Sequence, residues 1–177
     1  MGKIKPYPPV KLIAAVAISD IDLWLACKEK LESLHSDIDI AMNWYDFHHT
    51  DYYLTEMGEN LKKRMISFRE LVLAEQLPDI KLATNQLEKE FAKGGKRRLN
   101  IDPGYICTPK LVLATTKDFS HRIYLKDGIL GDIHLKYQKG SFRAQEWTYP
   151  DYQEPEVIHF FNQVREVYLM QMAEAAF

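Results

Sequence analysis

Cysteine is scarce. Cys27 and Cys107 are the two in 177 residues, and neither has a CxxC partner or a histidine at ligand spacing. That excludes a disulfide framework and a zinc ribbon, and two buried, reduced thiols are expected. Long apolar runs are missing too: no stretch approaches the ~20 residues that a membrane span needs. Charge of one sign is absent, since 23 Lys+Arg stand against 25 Asp+Glu for a net charge of −2. A polycation made for nucleic acid and a strongly acidic tail protein are thereby excluded. No phosphate loop, GxGxxG, GxSxG, HExxH or EF-hand pattern occurs. Gly94-Gly95-Lys96 follows a helical pattern where a phosphate loop would precede one.

What remains is an ordinary globular composition, 46% hydrophobic and 27% charged, too apolar for disorder. Its length suits a single domain spanning 1–177, which buries about 70% of the surface its unfolded chain exposes. Lys3, Lys5 and Lys11 before the run Leu12 to Ile18 resemble a secretory leader with Ala15-Val16-Ala17 as its cleavage site. Pro6-Tyr7-Pro8-Pro9 interrupts the basic region and the helix-start pair Ser19-Asp20 follows the run. A buried first strand in a cytoplasmic protein is the expectation.

Periodicity supplies the elements. Residues 10–18 form a continuous apolar run, expected as a central strand covered on both faces. Ser19-Asp20 caps a helix over about 20–35, with Ile21, Trp24, Leu25 and Leu31 at helical spacing. A second strand is expected over 37–47, loop or short helix over 48–60, and a third strand over 61–71. Leu77-Pro78-Asp79 opens a second helix that buries Ile80, Thr84, Leu87 and Phe91 and stops at Gly94-Gly95. Asp102-Pro103-Gly104 reads as a turn, and 110–117 as a strong strand.

Residues 121–137 read as a hairpin. Ile123 and Leu125 share parity with Ile129 and Ile133, which selects the three-residue loop Lys126-Asp127-Gly128 and sets Arg122 opposite Asp132. Lys139-Gly140 turns the chain again, and a last helix spans about 155–174. The fold class is α+β: a ferredoxin-like β-α-β-β-α-β core with an added antiparallel β-meander and a C-terminal helix.

Several polar clusters carry chemistry. Lys117, Asp118, His121 and Arg122 gather at a strand end, where Lys and Arg suit an anion and His121 an acid or base. A cross-strand ion-pair network with a packed histidine explains them equally. Lys81, Asn85 and Glu88 share one face of the second helix, which by spacing alone is a solvated face. Lys93, Lys96, Arg97 and Arg98 form a basic loop able to grip phosphate. His48 and His49 beside Asp51, with Asp102 or His121, suit a divalent metal, but adjacent imidazoles on an extended segment point opposite ways. His48-x-Thr50 matches half the motif of the two-histidine phosphodiesterases, and the second half has no counterpart.

A larger pattern joins these segments. Thr50-Asp51-Tyr52-Tyr53, Glu56-Met57-Gly58, the run Ile80 to Asn85 (IKLATN), Asn100 to Tyr105 (NIDPGY), Ala114 to Leu125 (ATTKDFSHRIYL) and Trp147 to Tyr152 (WTYPDY) together resemble a bacterial family, domain of unknown function 4416. The resemblance covers nearly the whole chain. Some members carry a GTP-binding label, for which this sequence lacks the usual phosphate loop. The resemblance implies candidate positions without assigning roles: Asp51, Tyr52, Lys81, Asn85, Glu88, Arg98, Asn100, Asp102, Lys117, Asp118, His121, Arg122 and Asp151. Among them His121, Asp118 and Asp102 are expected as catalytic groups, and Lys117, Arg122, Lys81, Asn85, Arg98, Asn100, Asp51, Tyr52 and Asp151 as ligand contacts. The expected ligand is anionic and phosphate-bearing, a nucleotide or phosphoester, bound in a polar cleft where Asp51, Asp102 and Asp118 would either orient the cations or hold a divalent ion bridging to phosphate; its hydrolysis or transfer is the chemistry such a cleft would allow. The competing class is a non-catalytic interaction or homodimeric module with a face of Tyr52, Tyr53, Trp147 and Tyr149.

Overall fold

The computed structural model describes residues 2–47, 57 and 61–175. Strand β1 (Val10–Ile18) is buried along its whole length. It pairs antiparallel with β4 (Lys62–Val72) on one side and β5 (Leu99–Cys107) on the other. Its run is apolar at every position but Lys11 because both of its faces are covered. Leu12, Ala14, Val16 and Ile18 pack with Cys27 and Leu31 of helix α1 (Trp24–Leu34) and with Ile80 and Leu87 of α2 (Leu77–Glu90). Ile13 and Ala15 pack against Val157, Phe160, Phe161 and Val164 of α3 (Pro155–Glu174) on the opposite face. Each Val, Leu, Ile or Phe among them contributes about 1.5–3 kcal/mol when fully buried.

The strand expected over 37–47 is two strands, β2 (Ile38–Ala41) and β3 (Tyr45–Asp46), both paired with β4. The break between them is held by Arg64. Its guanidinium sits 5.0 Å from the Trp24 ring and 4.9 Å from Trp44, and its Nε donates to the Met42 carbonyl at 2.9 Å. The expected loop or short helix over 48–60 lies outside the described residues except for Met57, which is buried with Phe47 and Leu61.

Asp102-Pro103-Gly104 is not a turn. Strand β5 runs straight through it, with Asp102 opposite Ala15, Pro103 opposite Ala14 and Gly104 opposite Ile13. The next strand, β6 (Lys110–Thr115), pairs with β5 only from Gly104 to Cys107. Before Gly104 the two strands part, so Pro103 sits where no β6 ladder asks it for an N–H. Gly104 marks the point of contact: a Cβ there would lie 2.4 Å from the Val112 carbonyl oxygen.

The sheet continues through β8 (Ile129–Gln138) to β7 (Arg122–Lys126), giving the order β2-β4-β1-β5-β6-β8-β7, with β3 on β4 and β9 (Ser141–Ala144) on β8. Arg122 faces Asp132 as the parity requires. The expected three-residue loop is instead a two-residue turn. Asp127 and Gly128 both have positive φ, 51° and 78°, and Lys126 pairs with Ile129. The odd residue sits one step back, in a bulge between Tyr124 and Lys126. An Asp-Gly pair takes the doubly left-handed hairpin turn readily, and a bulge preserves the same parity. Among the described residues no helix is long and apolar enough to cross a membrane.

Candidate functional site

Where β5 and β6 part, the backbone of Ile101 has no strand neighbour on its β6 side. Its N–H and C=O would be costly to bury unpaired. Two side chains of α2 take the place of a strand: Glu88 Oε1 accepts the Ile101 N–H at 2.7 Å, and Lys81 Nζ donates to the Ile101 carbonyl at 2.8 Å. Both residues are buried, each about 6% exposed. The helix face that spacing alone assigns to solvent is therefore turned into the fork of the sheet.

The network extends along β5. Lys81 Nζ also donates to Asp102 Oδ1 at 3.2 Å, and Asn100 Nδ2 donates to Asp102 Oδ2 at 2.8 Å. Arg97 donates to Asn100 Oδ1 at 3.1 Å and lies 3.5 Å from Glu88 Oε2. Burial alone would raise the Asp102 carboxyl. The positive charges of Lys81 and Lys63 and the donated hydrogen bonds outweigh it and hold the group below its usual range. Glu88 moves the other way: its burial outweighs Lys81, the Ile101 N–H and Arg97.

The fork opens into a cleft of about 470 Å³. Lys81, Asn85, Glu88, Arg97, Asn100 and Asp102 form one wall. Thr115, Thr116, Lys117, Phe119 and Arg122 form the second, and Phe47, Lys63, Tyr149, Pro150 and Asp151 complete the lining. Side chains from four separated segments, 81–88, 97–102, 115–122 and 149–151, thus meet at one place.

The second wall is anchored from behind. Arg122 Nε donates to Asp132 Oδ2 at 3.1 Å, its Nη1 to the Lys117 carbonyl at 2.9 Å, and its Nη2 to the Tyr149 hydroxyl at 3.1 Å. Asp132 Oδ1 lies 3.3 Å from His134 Nδ1. His134 Nε2 accepts the Tyr149 N–H at 3.0 Å, so the ring proton facing Asp132 is on Nδ1. Burial would raise Asp132, but its contacts with His134 and Arg122 hold it below the usual carboxylate range. The segment 147–152 is a packed connection. Trp147 Nε1 donates to the Ile133 carbonyl, and Asp151 pairs with buried Lys63 at 2.6 Å. Lys63 Nζ also lies 4.4 Å from the Phe47 ring centre.

Of the expected site residues, Lys81, Asn85, Asn100, Asp102, Lys117, Arg122 and Asp151 line the cleft, as does Glu88. His121, Asp118 and Arg98 do not. The His121 ring is stacked between Phe119 and Trp147, at 6.1 and 4.7 Å, and its buried Nε2 makes no directed hydrogen bond although Asp132 Oδ2 lies 3.3 Å away. Asp118 is exposed beside the cleft. Arg98 turns toward the connection between β1 and α1, where it pairs with Asp20 at 2.6 Å. Asp51 and Tyr52 lie outside the described residues, as do His48, His49 and Tyr53. Trp147 and Tyr149 contribute to the backing and lining of the cleft. Among the described residues no three His, Cys, Asp or Glu side chains gather to hold a metal ion.

Phe47, Lys63 and Phe119 are lining residues outside the expected site set, while Arg97 is read from the sequence only as part of the basic loop and Tyr149 only as part of an interaction face. Lys63 had a signal, for it shares strand parity with buried Met65 and Ser67. Arg97 belonged to the basic loop but carried nothing to separate it from Arg98.

No curated protein and no solved structure matches the chain. One family model does, over residues 8–168, and with nearly the whole chain covered the protein belongs to the family described as domain of unknown function 4416 (DUF4416).

Proposed function

We propose that the cleft at the fork of the sheet binds a small anionic, phosphate-bearing ligand. The observation that carries this reading is the balance of charge. Lys63, Lys81, Arg97, Lys117 and Arg122 line the cleft against Glu88, Asp102 and Asp151, and Asp132 pairs with Arg122 from behind, so five cations meet four carboxylates in a chain whose net charge is −2. A concave, partly desolvated site of one sign focuses its field on a ligand of the other. Arg offers a planar fork of donors to phosphate, and Lys a point charge. The carboxylates Asp102 and Glu88 hold the cations in place, so little reorganisation is needed on binding. The cleft volume falls in the range of small-molecule sites.

The same reading takes residues 10–107 as a ferredoxin-like unit. Its support is the order β2-β4-β1-β5 with every neighbouring pair antiparallel, and α1 and α2 together on one face.

A ligand that binds only the folded state raises the melting temperature by mass action. The test is a thermal-shift panel of inorganic phosphate, sugar phosphates, nucleotides and polycarboxylates, with and without magnesium. The wild type is expected to shift with at least one phosphate compound, and the double variant Arg97→Gln, Lys117→Gln to lose that shift. No response to any anion, or an equal response in the double variant, would remove the reading.

A further inference from the structure

We propose that the ligand of this cleft is a nucleoside phosphate, with its planar base against the exposed rings of Phe119 and Tyr149 and its phosphate among the cations. This inference rests on the anion reading above and adds the chemical class. The lining divides into two kinds of surface. The α2–β5 wall is polar and charged, whereas Phe119 and Tyr149 bring aromatic rings to the same cavity. Phe119 is 55% exposed and Tyr149 39%. A sugar phosphate or inorganic phosphate would satisfy the cations and leave these rings in water. A base would cover them.

The rings are also held in position before any ligand arrives. Phe119 is the outermost of three nearly parallel rings: it lies 3° from the plane of His121, which lies 12° from that of Trp147. The Trp147 end is fixed by its hydrogen bond to the Ile133 carbonyl. Arg122 sits 4.7 Å from the Phe119 ring centre and donates to the Tyr149 hydroxyl, so one guanidinium steadies both rings. Its own orientation is set by Asp132. Such preorganisation lowers the ordering cost of binding. This gives the packed His121 a use that is not acid or base: it supports the ring on which the base would lie. Stacking of a base on an aromatic side chain is typically worth about tenfold in affinity. Phosphate would be met here by side chains, in place of the main-chain amides of a phosphate loop.

The test is calorimetric titration of the full chain with three kinds of probe: inorganic phosphate, ribose 5-phosphate, and adenosine and guanosine monophosphates. At least one monophosphate is expected to bind about tenfold more tightly than ribose 5-phosphate. Phe119→Ala should remove that advantage, weakening the monophosphates more than ribose 5-phosphate, while Phe119→Tyr retains it. The side chain is more than half exposed, so the fold should tolerate these changes. Equal binding of ribose 5-phosphate and both monophosphates by the wild type would overturn the nucleoside assignment and leave the anion reading standing. So would a Phe119→Ala variant that weakens all the phosphates alike. Failure of every phosphate to bind would overturn both.

Discussion

The two walls of the cleft are each organised around a carboxylate, yet they use it differently. Asp132 is enclosed behind the second wall, 1% exposed, with Arg122 and His134 as its partners. Asp102 stands on the α2–β5 wall with its side chain 28% exposed and lines the cavity itself. Each group has a cation against it, and both are held below the ordinary carboxylate range. The difference teaches that a charged cluster becomes a candidate site through what it leaves facing the cavity. The Asp132 cluster builds the wall, and the Asp102 cluster presents its groups to a ligand.

Removing each carboxylate should separate the two roles. Asp132→Ala strands Arg122 beside an emptied, buried position, and breaking such a pair costs about 3–5 kcal/mol. Asp102→Ala leaves Lys81 with the Ile101 carbonyl and access to water, and should cost about 1–3 kcal/mol. Urea unfolding measures both. A larger loss from Asp102→Ala would break the comparison.

Gly104→Ala probes the fork itself. Its Cβ would meet the Val112 carbonyl oxygen, which is backbone and cannot swing aside. Overpacking of this kind costs about 1–3 kcal/mol. An Ala variant as stable as the wild type would mean that the strands are not clamped together there.

Acid should sharpen the contrast between carboxylates. Asp132 and Asp102 have folded-state pKa values below their unfolded ones, so their contribution is full above about pH 4 and is lost as pH falls through the folded values. Glu88 has the opposite sign: raised in the fold, it contributes most below its unfolded pKa, and that contribution is lost as pH rises through the folded value. Glu88→Gln should therefore gain stability relative to the wild type as pH rises from about 4 toward 7. Asp132→Asn should lose less stability than the wild type on acidification below about pH 4. Denaturant midpoints across this range check both signs.

The smallest effect is expected at Tyr152. Its buried hydroxyl has no hydrogen-bond partner among the described residues, while its ring stacks on Phe161 at 5.6 Å. Tyr152→Phe keeps the ring and removes an unsatisfied donor, so stability should stay within about 1 kcal/mol of the wild type or rise. A clear loss would reveal a partner for that hydroxyl.

The strands and helices were legible where burial follows a simple period. The run 10–18, the helix from Leu77 and the Arg122–Asp132 register all follow from apolar spacing. Asp102-Pro103-Gly104 misled because turn chemistry is local, whereas β1 pairs with β5 along the whole stretch and β6 departs at that point. Asp127-Gly128 has similar residues and does turn, because there the left-handed pair joins two adjacent strands. Lys81 and Glu88 could not be told from a solvated face by spacing. Their burial comes from where α2 lies against the fork, which is tertiary information. The polar segments were singled out as a set by the family resemblance, and four of the six meet at the cleft, while the other two, Thr50 to Tyr53 and Glu56 to Gly58, fall outside the described residues except for Met57.

The most direct test of the anion site is to watch the backbone of an isotopically labelled protein by NMR while phosphate is added, with chloride at equal ionic strength as the control. Amide shifts are expected at Arg97, at Asn100 to Asp102 and at Thr116 to Phe119, with the hairpin tip at Asp127-Gly128 unmoved. Shifts centred instead on the groove between Trp44 and His159, or none beyond those that chloride produces, would contradict the account.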